Sequence, residues 1–243
     1  MSEQAGSAIP AGSATGGLAG GLTGMMNVFV DPAETARRVP SKLSWLWPVI
    51  VLAIIYTVFG YLMLPYAMQL VDARMAERNM PPEQLERAQS MAHTVTKFTT
   101  PLAPLWIIGF LALTALLIKV FYSIMDVRPR FRDVFSLLAA CSIIPALQYI
   151  ATYIVLRSKG DAITSPEQLM PPFGLDIFLQ GAKGVFLAIL HFFSIFEIWY
   201  LIVLVLGLSY LTRSSKSKAI IAATPAWVLP LLLALLGALF QQR

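Results

Sequence analysis

Glu197, Gln148 and Tyr56 are polar side chains set inside long apolar runs. A carboxylate at the centre of a membrane helix costs about 2.5–3.5 kcal/mol on insertion scales, so Glu197 must turn to a bundle interior and find a partner there. At the helical rise, Glu197 and Gln148 each lie about 21 Å from the ends of their runs at Leu211 and Val134, and Tyr56 lies at a similar level in the first run. The spacing therefore predicts one hydrogen-bonded layer across three helices. Two chemistries fit it: a site that carries protons, or a polar contact that joins helices. Lys119 is placed to snorkel to the membrane surface, and His191, with no nucleophile or ligand beside it, reads as a packing residue near the opposite interface. One cysteine, Cys141, and two histidines, His93 and His191, cannot supply an internal disulfide or a zinc set. No G-x-S-x-G, phosphate-loop or H-E-x-x-H string occurs, so no catalytic residue, metal or cofactor is expected.

The elements that must position these residues follow from composition. The 243-residue chain is 57% hydrophobic and 13% charged, against about 45–50% and about 25% for a soluble domain. That excludes a soluble globular enzyme. Five apolar stretches, 44–68, 101–125, 134–156, 185–211 and 219–240, each reach the roughly 20 residues that cross a hydrocarbon core as a helix. The expected fold is all-α: a polytopic membrane bundle of five transmembrane helices with short interfacial helices. Residues 1–24, rich in Gly, Ala and Ser and without signal-peptide character, read as a disordered tail, and 25–243 as the membrane domain.

Charge sets the orientation. Arg37, Arg38 and Lys42 precede the first stretch, Arg128, Arg130 and Arg132 lie between the second and third, and Arg213, Lys216 and Lys218 between the fourth and fifth. With five spans these segments share one side, whereas in the long loop on the other side basic and acidic residues balance. The positive-inside rule then puts the N-terminus in the cytoplasm and the C-terminus outside. The same nine residues form a basic rim suited to anionic lipid head groups and to partner proteins; setting topology is their plainer role. Nucleic acid is not an expected partner.

Local signals complete the reading. Asp31, Pro32 and Glu34 open a short helix with a capping box, and Pro40 ends it; the surrounding segment is expected to lie at the membrane surface. After Pro81-Pro82, Leu85, Ala88, Ala92 and Val95 recur at helical spacing, which predicts an amphipathic helix that Pro101 and Pro104 separate from the second span. Residues 173–184 read as an interfacial helix leading into the fourth span. Pro145, Pro225 and Pro230 remove donors from the carbonyls of Cys141, Ile221 and Ala226 and predict kinked spans.

The run Phe196-Glu197-Ile198-Trp199, the pair Gly207-Leu208, the turn Ser214-Ser215-Lys216-Ser217-Lys218-Ala219 and the entry motif Phe29-Val30-Asp31-Pro32 resemble the Ypt-interacting protein (Yip) domain family, bacterial type, over about residues 27–240. The resemblance implies a non-enzymatic protein of the bacterial cytoplasmic membrane that acts as a scaffold or assembly factor for other membrane proteins, exporter components among them. It assigns Glu197 no role, because that place is variable, and it is compatible with a homo-oligomer. The alternative is a small proton-coupled transporter or channel using Glu197. The lack of further intramembrane charge and of an internal repeat weighs against that alternative.

Overall fold

The computed structural model describes residues 25–39, 45–76, 81–159, 173–179 and 184–241. Within them the chain is helical: α1 (Pro32–Arg38), α2 (Leu46–Ala76), α3 (Pro82–Thr99), α4 (Ala103–Ile124), α5 (Phe131–Cys141), α6 (Ile143–Lys159), α7 (Gly184–Phe192), α8 (Ile195–Thr212) and α9 (Lys216–Gln241). Five helical stretches are long and apolar enough to cross a membrane, as expected: 46–73, 82–124, 131–159, 195–212 and 216–239. The proposed tail at 1–24 and the stop at Pro40 lie outside the described residues.

The third stretch is the hub. Two-thirds of it is buried, against 17–28% of the others, and every residue of α5 from Val134 to Cys141 is buried. α5 packs on α2, α4 and α8, while α6 packs on α2 and α8. Lipid covers the outer faces of the remaining helices, so their large exposed side chains are ordinary. The kink predicted at Pro145 is a break. α5 ends at Cys141, and α6 restarts two residues later, at Ile143. Ser142 mends the break, its N–H and its hydroxyl both donating to the Leu138 carbonyl at 3.0 and 2.8 Å. By contrast, α9 runs continuously through Pro225 and Pro230, and α2 through Pro65.

Three regions differ from the expectation. First, the segment around α1 packs one side into the bundle and leaves Met26 and Val30 exposed. Its cap is as predicted, Asp31 accepting from the Glu34 N–H at 3.0 Å, but Met25, Val28, Thr35 and Ala36 are buried and α1 packs along α8. The Phe29 ring sits 5.4 Å from that of Trp199. Second, Pro101 and Pro104 do not part α3 from α4. A 3₁₀ turn, Thr100–Leu102, carries the helical path through, and Thr96, Thr99 and Thr100 hydroxyls return to carbonyls one turn back. Third, the fourth apolar stretch is two helices, broken at Phe193-Ser194.

α2 and α3 thus form an antiparallel hairpin that outlasts the bilayer. The 31 residues of α2 span about 46 Å, against a hydrocarbon core of about 30 Å. Near its tip, His93 Nε2 and Asp72 Oδ1 are 2.9 Å apart and hold the two helices together.

Candidate functional site

Near Gln148 and Glu197 the structure places a residue that sequence reading passed over. Ser194, 1% exposed, donates its hydroxyl to Gln148 Oε1 at 2.8 Å and accepts from the Glu197 N–H at 3.1 Å. It is the N-cap of α8. One hydroxyl therefore starts α8 and ties that start to the middle of α6. The signal was present: Ser194-Ile195-Phe196-Glu197 has the S-x-x-E spacing of a capping box, concealed in an apolar run that reads as a single span.

This moves Glu197. It lies in the first turn of α8, not at a helix centre, because the helix begins only two residues before it. Its carboxyl does not bond Gln148. Glu197 Oε1 is buried without a hydrogen-bond partner among the described residues. The Tyr56 ring lies 5.4 Å from that of Tyr149, joining α2 to α6. Tyr200, also buried, faces Ser142, next to the α5–α6 break. The polar residues thus collect where two spans are interrupted, and there they can replace backbone hydrogen bonds that a broken helix loses.

A loop seals the far side of this node. Gly174 forms an antiparallel bridge with Ser194, and Ile195 N–H donates to the Phe173 carbonyl at 3.0 Å. A Cβ at Gly174 would stand 2.5 Å from the Leu190 carbonyl oxygen, so only glycine fits this approach. His191 meets Asp176 at 3.5 Å, a partner that its lone position in the sequence did not show. Of the interfacial helix expected at 173–184, a 3₁₀ turn at Leu175–Phe178 is described, and 180–183 lie outside the described residues.

The basic rim is assembled at the opposite end. The α8–α9 turn is fixed by Ser209 Oγ donating to the Ser214 carbonyl at 2.8 Å, and by a Thr212–Ser214 hydroxyl contact at 2.8 Å. Arg213 adopts a left-handed conformation there, with φ of 51°. Two bonds dock this turn on the end of α4: Tyr122 Oη to Ser214 Oγ at 3.5 Å, and Lys218 Nζ donating to the Met125 carbonyl at 3.0 Å. Arg128, Arg130, Arg132, Arg213, Lys216 and Lys218 are all exposed. Trp45, whose ring lies 6.4 Å from Phe135, brings the start of α2 to the same end. Arg37 is exposed and reaches Glu34 at 3.4 Å. The Arg38 side chain and Lys42 lie outside the described residues.

Among the described residues no group of His, Cys, Asp or Glu is arranged to hold a metal ion, and Cys141 is fully buried. A helical bundle with five membrane-length helices, a polar node inside and a basic rim at one end defines a multi-pass membrane protein. The family model described as the Yip1 domain matches residues 26–238, and the chain belongs to that family. No match to the chain is found among curated proteins or solved structures.

Proposed function

We propose that this protein is a non-enzymatic docking factor of a bacterial cytoplasmic membrane, with its N-terminus in the cytoplasm and its C-terminus outside. Its basic rim binds anionic lipid head groups and receives other membrane proteins, exporter components among them. The observation that carries the reading is the mutual docking of the α4–α5 connection and the α8–α9 turn through Tyr122, Ser214 and Lys218. It holds several cations on one small surface, where each contributes on the order of 1 kcal/mol toward an anionic leaflet. Membership of the Yip1 family supports the reading, since the resemblance brings a scaffold role and no catalytic residues.

The test is to replace Arg128, Arg130 and Lys216 together by Gln in the full-length chain. Cysteine labelling at Ser2 and Gln242 confirms that topology is kept, and should report the two ends on opposite sides. Retention of anionic lipid in native mass spectra and recovery of the membrane proteins that co-purify with the wild type should both fall severalfold. Unchanged lipid retention and unchanged recovery would leave topology as the only role of the rim.

A further inference from the structure

We infer that the outward face of α3 and the start of α4 is the contact surface of a parallel two-fold dimer of this chain. The inference concerns the end of the molecule away from the basic rim and does not depend on the rim's role.

The starting observation is a stripe of exposed apolar side chains that does not stop where the membrane does. Met91, Val95, Phe98, Leu102, Leu105 and Trp106 are 72, 52, 73, 58, 70 and 72% exposed. Trp106 lies about 27 Å along the helix from Ile124, the basic-end terminus of α4. That is the depth at which a tryptophan marks the opposite membrane interface. Below Trp106, lipid accounts for the stripe. Phe98, Val95 and Met91 stand about 12, 16 and 22 Å farther along the rod, past a head-group layer only about 5–8 Å thick. Water would meet these three side chains, and a contiguous apolar surface in water marks an interaction site.

Spacing, charge and area say what covers them. The stripe advances by four, three, four and three residues from Met91 to Leu105, and by four more to Gly109, the repeat of a helix-to-helix seam. Gly109 is exposed, and a Cβ there would meet nothing within 4 Å, so a second helix can approach closely at that point. Between Met91 and Gly109 the flanks are uncharged: Thr94, Thr99 and Pro101 border the seam, and Lys97 lies about 120° away around the helix. Arg87, one turn before Met91 on the same face, has Glu83 four residues before it as an opposite charge, so two identical chains meet without like charges from Met91 onward. The six side chains together expose on the order of 800 Å², the area each partner gives to a standard-size interface. The partner must also begin in the bilayer, continue above it, and match this rod in height. A second copy, related by a two-fold axis along the membrane normal, does all three.

The hairpin is built to present this face. α3 contains no buried residue and packs chiefly on α2, with His93 directed to Asp72 and Thr100 to Gly60. Among the described residues nothing covers the stripe.

Single cysteines at Met91, Val95 and Phe98, with controls at Glu86 and Lys97, test this in the full-length chain in native membranes; the fully buried Cys141 stays in place. Oxidation should give disulfide-linked dimers at the three stripe positions and at least tenfold less at the controls. A Val95→Glu/Phe98→Glu variant, altered only at exposed positions, should be monomeric in native mass spectra with its helical content unchanged. Equal cross-linking on all faces, cross-links to other proteins only, or a dimer that survives the double substitution would overturn the inference. So would a spin label at Val95 that shows lipid-like oxygen accessibility and no cross-link.

Discussion

Replacing Ser194 by Ala removes two bonds with one atom, and their sizes can be separated. The capping bond to the Glu197 N–H is worth about 1 kcal/mol, within a range of about 0.5–2. The interhelical bond to Gln148 is worth about 0.6 kcal/mol on average and up to about 1.7. Ser194→Ala should therefore destabilise the fold by about 1.5–3 kcal/mol, since the site is 1% exposed and water cannot take over either role. Ser194→Gly isolates the second bond, because glycine at an N-cap loses only a few tenths of a kcal/mol. Gln148→Leu removes the same bond from the other side. In a double-mutant cycle, Ser194→Ala and Gln148→Leu should couple by about 0.6–1.7 kcal/mol. The assay is reversible unfolding in mixed micelles, read by circular dichroism. Additive effects, or a Ser194→Ala protein as stable as the wild type, would refute the account of Ser194 as a shared cap and interhelical bond.

Three further outcomes are expected. Gly207→Ala places a Cβ 2.9 Å from Leu137 Cδ1, whose side chain is fully buried between α5 and α8; it should cost about 1–3 kcal/mol in the same unfolding assay, with part recovered by Leu137→Val. Glu197→Gln should leave both stability and partner recovery unchanged, and Glu197→Leu should cost no more than about 1–2 kcal/mol, because Oε1 makes no hydrogen bond; loss of activity in a folded Gln variant would instead assign Glu197 a proton. His93→Ala removes a part-exposed contact worth about 0.2–1 kcal/mol, so hydrogen exchange should quicken in α3 and stay unchanged in α5.

What the sequence made legible was short-range or compositional. Five apolar runs announced five membrane-length helices, because lipid admits few other structures. Asp31, Pro32 and Glu34 announced the start of α1, because a cap is decided within four residues. Hydropathy finds the bilayer and not the helix, so the continuation of α2 to Ala76, through the polar residues after Met68, escaped it. The burial of Met25 and Val28 along α8 depends on the shapes of distant helices and left no local trace.

The node around Ser194 shows why the site was only half legible. Depth counting from the ends of apolar runs placed Glu197 and Gln148 at one level, and the two do meet the same hydroxyl. Counting assumes an unbroken helix, however, and here the break is what makes the site. A buried helix start leaves N–H groups with no partner one turn back, and at Ser194, 1% exposed, water cannot supply one. Ser194 supplies one acceptor, and its hydroxyl proton must then go elsewhere, to Gln148. The bridge between Gly174 and Ser194 and the bond from Ile195 to Phe173 take up more of the exposed backbone. Ser194 and Gln148 are thereby explained by the break and the carboxylate of Glu197 is not, which makes Glu197→Gln the sharpest single substitution for deciding whether this node only holds helices together.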